Sequence, residues 1–396
     1  MIQRYKIPKL LHTAPEREHF LNELTISKTE HTQLKEIRKL IRSTLRRGFR
    51  GLREQVKSSG SDELQYISKL TPKFWTQGSF IYGTLNDPAQ CPPQQIDLDD
   101  GVYFPMDIVE ESPVAAKRVL LSLVEQMLKS LCTLQGWGFE TKPTCFRLKI
   151  NHRIHIDLPV YAIPQDRYLA LQSHMQANES LFADGISFHE EVFLDPEKVY
   201  LAMHDDNEHW KSSDPMELQR WFENECQLHP RRLRRVCRYV KAWRDFTWEA
   251  GGPSSITLMV AAAETFDQHL NESLDHFSTD CQALLAVARA MPAQFAEQIR
   301  NPVDTSEVMF PRGTSDNELR DIREKIDAFK QDVEIALCQA LTSESSLVQL
   351  RKIFGSRIPN RPEWVEIFQI AAAVRSLPVK QHKLPDPPKT KTMKSA

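Results

Sequence analysis

The sequence predicts an α+β front half joined to an all-helical back half, and three observations carry that reading. Short apolar segments of strand-like alternation cluster between residues 71 and 163, a long amphipathic helix precedes them, and from Ser213 onward the apolar residues recur with helical period. The expected division is residues 1–212 for the helix and the mixed-sheet unit, 213–376 for the helical unit, and 377–396 for a disordered tail rich in Pro and Lys.

The first long helix runs from Thr29 to about Val56, where Leu34, Ile37, Ile41, Leu45, Phe49 and Leu52 form one apolar stripe. Ser58, Ser59, Gly60 and Ser61 stop it. The segment TPKFWTQGSFIYGTL follows, then a turn-rich stretch with Pro88, Pro92 and Pro93, then IDLDDGVYFPM, whose alternation reads as a strand. VAAKRVLLSLVEQMLKSLCTL reads as a second helix, ended by Gly136-Trp137-Gly138, and the strands CFRLKI and RIHIDLPVYAI meet at Asn151-His152. Beyond the capping signal Ser213-Asp214-Pro215 come five helical segments, the last of them ELRDIREKIDAFKQDVEIALCQAL.

Composition narrows the function classes. With 51 Lys+Arg against 53 Asp+Glu and a net charge of −2, the total charge does not draw the chain to nucleic acid or acidic membranes, so an anionic partner must be held by local patches. Seven scattered cysteines without a C-x-x-C pair argue against a disulfide framework or a zinc ribbon, and fit a reducing cytoplasm. No apolar run approaches the ~20 residues of a membrane helix.

The chemistry concentrates in a few residues. Asp97 and Asp99 stand two apart on a predicted strand, so both carboxylates project to one side, as a divalent cation requires. Asp157 sits in the apolar strand HIDLPVYAI, where burial is costly without a cation or hydrogen-bond partner. Three such oxygen ligands suit Mg²⁺, although an acidic stretch of this kind, taken alone, is more often a solvated turn. Gly78 lets backbone approach a phosphate, and Ser79 at a helix start can help cradle it. His155 is read as a strand histidine turned away from the triad, and Trp221, Trp243 and Trp248 as helical core. Gly251-Gly252-Pro253 is a tight turn that brings Ser254 and Ser255 near a ligand.

The order G-S, spacer, D-x-D and a distant Asp resembles the polymerase-beta-like nucleotidyltransferases. TPKFWTQGSFIYGTLN, QIDLDDGVYFPM, HIDLPVYAIP, SSDPMELQRWF and LRRVCRYVKAWRDFTWEAGGPSSITLM narrow the resemblance to bacterial cyclic GMP-AMP synthases of the DncV type, within the cGAS/DncV-like enzymes of antiphage signalling. The resemblance implies a polymerase-beta-like core with a helical domain closing over nucleotides. It implies that Asp97, Asp99 and Asp157 bind two Mg²⁺, that Gln77, Gly78, Ser79 and Tyr82 form the donor-nucleotide loop, and that Arg147 contacts a base. Lys241 is then a phosphate contact, Ser213 and Ser255 polar contacts, and Asp304 the acidic residue that helps choose the base. The implied reaction joins ATP and GTP through two 3′-hydroxyl attacks on α-phosphates, giving 3′,3′-cyclic GMP-AMP. A linear or oligonucleotide product, or a silent nucleotide-binding adaptor, are the alternatives.

Arg38, Arg42 and Arg46 recur every four residues on the basic first helix, which makes either a solvated face or an anion site. The family resemblance implies a pocket there for a folate-like inhibitor, completed by Lys73, Trp75, Tyr103 and Tyr168. Duplex nucleic acid is disfavoured as a ligand by the net charge. The resemblance also implies an E1/E2-like partner that conjugates the chain through Ala396.

Overall fold

The computed structural model describes residues 3–14, 18–59, 70–105, 113–164, 168–169, 199–204, 210–230 and 232–368. The tail and Ala396 lie outside them.

The sheet half is ordered by the two-residue period of its strands. β1 (Tyr5–Lys6) lies apart; β2 (Lys73–Gln77), β3 (Ile96–Pro105), β4 (Gly138–Lys142), β5 (Cys145–Lys149), β6 (Ile154–Leu158), β7 (Val160–Ile163), β8 (Tyr200–Ala202) and β9 (Trp210–Ser212) make one eight-stranded mixed sheet. β6 and β7 run parallel along one side of β3, and β2 runs antiparallel along the other. Ile96, Leu98, Val102 and Phe104 of β3, with Ile154, Ile156 and Leu158 of β6, turn to one face and are buried there. The residues between them turn to the other face.

The apolar face is covered by two helices. After the short α1 (Phe20–Glu23), α2 (Lys28–Ser59) buries Leu34, Ile37, Ile41, Leu45 and Phe49, and α4 (Pro113–Gln135) buries Leu120, Val124, Leu128 and Leu131. Each such side chain contributes about 1.5–3 kcal/mol of burial free energy, so this layer fixes how the sheet stands. Between them in sequence lies α3 (Gly78–Ile81), one turn long, directly after β2.

Polar side chains of α2 also reach the sheet. Asp100 alternates to the helix-covered face of β3, 1% exposed, and Arg42 closes a two-bond fork on it with Nε 2.8 Å from Oδ2. Arg38 donates to Thr76 Oγ1 at 2.8 Å, and that hydroxyl donates to Asp100. Arg38 and Arg42 therefore do not form a solvated face: they bolt α2 to β2 and β3. Arg42→Met leaves Asp100 buried without its cation, and is expected to cost about 3–5 kcal/mol in urea unfolding. A loss below about 1 kcal/mol contradicts this role.

The remaining helices are α5 (Pro215–Leu228), α6 (Leu233–Thr247), α7 (Ser255–Ser273), α8 (Asp280–Ala296), α9 (Asp316–Glu334) and α10 (Ser343–Phe354). Asp214, not Ser213, caps α5, accepting from the backbone N–H of Met216 and Glu217. The pair β10 (Ile299–Arg300) and β11 (Val308–Phe310) links α8 to α9. Their core gathers Val236, Tyr239, Val240, Leu258, Ala262, Leu284, Phe295 and Phe329.

One boundary of the expected division is corrected. Tyr5, Ile7, Leu10, Leu11, Phe20 and Leu24 are buried in the helical core, and β1 pairs with β12 (Glu366–Ile367). The first segment thus packs with the helical half, because its apolar side chains fill that core. No helix among the described residues is long and apolar enough to cross a membrane.

Candidate active site

The register of three strands assembles the site. Asp97 pairs with His155 and Asp99 with Asp157 across β3 and β6, while Asp157 pairs with Arg147 on β5. Asp97, Asp99, His155, Asp157 and Arg147 therefore share the face opposite α2 and α4. His155 is two residues from Asp157, an even offset that puts both on the same side, so its expected outward orientation is corrected. Its Nε2 stands 3.0 Å from Asp97 Oδ1.

Gln77 pairs with Asp99 at the end of β2, where the chain turns into α3. Gly78 has φ +67°, and a Cβ there would lie 2.1 Å from Asp99 Oδ2. Glycine is thus required both by the left-handed backbone and by the approach of the carboxylate. Gln77 itself turns inward: its amide donates to Tyr103 Oη at 2.6 Å and accepts from Tyr161 Oη at 3.2 Å. It anchors the loop and does not line the cleft.

The cleft, about 620 Å³, opens between this face and the helical half. Ser79 and Tyr82 line it from the α3 turn, Asp97, Asp99 and Arg147 from the sheet, and Lys241 and Ser255 from α6 and α7. Asp157 lies under Arg147, whose guanidinium makes two hydrogen bonds to it, at 2.8 and 2.7 Å. Ser213 and Asp304 do not line the cleft. The Ser213 N–H donates to Val199 O, and Asp304 closes a turn by accepting from Ser306.

Electrostatics single out two groups. Burial pushes the Asp99 carboxyl well above its ordinary range, and Asp97 and Asp157 beside it push further in the same direction. Asp97 Oδ1 is buried, with His155 Nε2 beside it at 3.0 Å. Three crowded carboxylates, of which Arg147 bridges one, fit a divalent cation, which adds positive charge beside Asp97 and Asp99. Lys241 is 3% exposed, donates to Thr84 O at 2.7 Å, and is pushed down to about 8 by burial. A lowered folded pKa means its charge costs stability below about pH 8, and that cost fades as pH rises from there to the ordinary lysine value of 10.5. Lys241→Met is expected to leave urea stability at pH 7 equal or higher while raising the KM for triphosphate about tenfold or more. An unchanged KM contradicts the phosphate role.

Sequence reasoning missed Arg244, three residues after Lys241 on α6 and therefore on the same helix face. It reaches Ser255 Oγ at 3.0 Å and lines the cleft beside Asp245 and Trp248.

Two family models match the chain: the nucleotidyltransferase domain of DncV-like cyclic GMP-AMP synthase over residues 72–161, and the cyclic GMP-AMP synthase C-terminal domain over 230–366. A cyclic GMP-AMP synthase of Escherichia coli strain TW11681 is 33% identical over 95% of this chain and 96% of its own. The chain belongs to the DncV-like cyclic GMP-AMP synthases. A cyclic GMP-AMP synthase of Vibrio cholerae is 40% identical over 74% of this chain and 69% of its own. The crystal structure of Vibrio cholerae DncV with a linear intermediate, 5′ pppA(3′,5′)pG, is 31% identical, covers 93% of this chain and all of its own, and superposes with a TM-score of 0.78. A second DncV structure, in complex with GTP and 5MTHFGLU2, gives 0.76. As a DncV-like synthase the chain is a nucleotidyltransferase, and its aspartates imply a divalent metal.

The residues expected for a folate pocket fall on two sides of edge strand β2. Arg38 and Arg42 meet Thr76 and Asp100 on the helix-covered face. Trp75, Tyr103 and Tyr168 cluster on the other, where Trp75 donates to Gln219 and Tyr103 stacks on Tyr161 at 4.8 Å, fully buried. Lys73 Nζ stands 5.5 Å over the Tyr168 ring, and Arg46 5.3 Å over that of Phe74.

Proposed function

We propose that the chain condenses ATP and GTP into 3′,3′-cyclic GMP-AMP, a second messenger of antiphage defence in the bacterial cytoplasm. The observation that supports it most is the convergence of Asp97, Asp99 and Asp157 beside the Gly78-Ser79 turn, in a cleft walled by Lys241 and Ser255. Asp97, Asp99 and Asp157 are the residues to hold Mg²⁺, two ions in this reading. Bound there, the cation lowers the pKa of an attacking hydroxyl and neutralises the leaving oxygen.

The chain's own groups do the rest. The Gly78-Ser79 turn receives the triphosphate, with no Cβ between the backbone and the phosphates. Lys241 supplies positive charge to the same phosphates. Arg147 is the internal cation of Asp157, and its guanidinium at the cleft wall is the group to contact a base. Asp157 is placed to accept the proton of the attacking 3′-hydroxyl. His155 holds Asp97 in orientation. The open cleft lets a linear dinucleotide turn over for the second bond, with pyrophosphate leaving each time.

The test is linkage. The purified enzyme's product from ATP and GTP is expected to be digested completely by a nuclease that cuts only 3′–5′ bonds. A resistant product overturns the 3′,3′ assignment.

A Vibrio relative has been solved with the folate 5MTHFGLU2, which supports a folate-like inhibitor acting at the β2 edge of this chain near Arg38, Arg42, Arg46, Lys73, Trp75, Tyr103 and Tyr168. Folate is expected to lower synthase activity, and unchanged activity with no binding by calorimetry contradicts it. Conjugation of the chain through Ala396 by an E1/E2-like partner completes the reading. An extension after Ala396 is expected to abolish conjugates seen by intact mass.

A further inference from the structure

The helical half carries a second set of metal-ligating side chains that the nucleotide chemistry leaves unused. Glu225 and His229 stand four residues apart where α5 ends, so their side chains leave on the same side, and Asp267 of α7 meets them there. One ligand atom from each lies within 4.8 Å of the other two. His229 is 3% exposed, with Nε2 2.6 Å from Asp267 Oδ1. The Glu225 carboxyl is raised to about 7, by burial first and by the neighbouring Asp267 second. Glu225 Oε2 remains buried with no hydrogen-bond partner. Among the described residues no lysine or arginine pairs with either carboxylate. Two carboxylates and an imidazole thus converge on one point.

We propose that Glu225, His229 and Asp267 bind one Zn²⁺. A mixed set of one nitrogen and two oxygens suits this ion, with water in the fourth position, whereas Mg²⁺ favours oxygen alone. Ligand atoms around a tetrahedral Zn²⁺ with bonds near 2.0–2.2 Å stand about 3.3 Å apart, so the His229–Asp267 gap opens by under about 1 Å. The Asp267 side chain is 40% exposed and free to move that far.

The position gives the ion a bracing role. α5 touches the sheet half through Gln219 on Trp75 and Phe222 on Tyr82, and α7 begins at Ser255 in the cleft. A metal joining the two helices, one turn beyond Phe222 on α5, fixes the angle between them, and with it the helical wall of the cleft.

The experiment must separate this site from the cleft, where Asp97, His155 and Asp157 could also take Zn²⁺. Metal-stripped Asp97→Ala/Asp99→Ala protein is titrated with Zn²⁺ alone by calorimetry, and its melting temperature is recorded with and without the ion. One site per chain and a raised melting temperature are expected. Adding Glu225→Gln, or separately His229→Gln, is expected to weaken binding at least about a hundredfold and remove the thermal shift. Glu225→Gln keeps the side chain's shape, so it decides the matter should the histidine variant not fold. Absence of binding in the double-alanine protein, or binding unchanged by Glu225→Gln, overturns the proposal.

Discussion

Replacing Asp99 with asparagine lowers dinucleotide formation by about a thousandfold or more, as expected when a charge-stabilising ligand of the transition state is lost, yet raises the stability of the metal-free protein. Both effects come from one arrangement. Asp99 is buried beside Asp97 and Asp157, and its carboxyl is held well above the ordinary 3.8 by burial first and by those neighbours second. The native state therefore keeps a proton that the unfolded chain releases above about that value. Metal-free stability falls as pH rises through this window, because the folded form binds more protons. Asparagine cannot ionise, so the slope flattens and the melting temperature at neutral pH rises. A divalent cation flattens the wild-type slope too, since the metal replaces the proton. Melting curves against pH for both proteins, with and without Mg²⁺, check this. A variant less stable than wild type at neutral pH without metal would show that Asp99 is held by contacts other than this repulsive cluster.

Gly78→Ala is the second large effect. The backbone there has φ +67°, which costs a side-chain-bearing residue about 1–2 kcal/mol. The added methyl would also lie 2.1 Å from Asp99 Oδ2, so either the turn or the carboxylate must move. Both belong to the reacting geometry, where a shift of about 1 Å can cost a hundredfold. Activity is expected to fall at least about a hundredfold in kcat, with melting temperature lowered modestly. Gly51→Ala, on α2 with open space around its Cβ position, is the control and is expected to remain active. Full activity in Gly78→Ala contradicts the close approach of loop and carboxylate.

How much of this was legible in the sequence depends on whether a signal is local. The stripe Leu34 to Phe49 and the alternation of IDLDDGVYF are periodic within one element, and the structure has α2 and β3 where those periods predict them. The same alternation brings Asp97 and Asp99 to one face, and sorts Asp100 to the other. What took Asp100 its partner was tertiary: nothing in the four-residue spacing of Arg38 and Arg42 says that they point at a strand some sixty residues later. β4 was missed because Gly138–Lys142 is short and half exposed, so it lacks an apolar alternation to read. β8 and β9 are three residues each, defined by pairing and not by composition. The first segment joins the helical core through Tyr5, Leu10 and Phe20, a contact across most of the chain that no local pattern encodes. His155 was legible in principle, since its even offset from Asp157 decides its side.

The cleft's membership divides along the same line. Gly78, Ser79, Tyr82, Lys241 and Ser255 line it. Gln77 was recognised as part of the loop, but its work is to clamp Tyr103 and Tyr161 behind it. Arg147 lines the cleft with its guanidinium paired to Asp157.

The most direct test of the central claim is to incubate the purified protein and its Asp97→Ala/Asp99→Ala variant with ATP, GTP and Mg²⁺ and to identify the products by mass spectrometry. The proposed function predicts a cyclic dinucleotide containing one adenosine and one guanosine from the wild type, and none from the variant. A linear product alone from the wild type, or an undiminished ring from the variant, would contradict it.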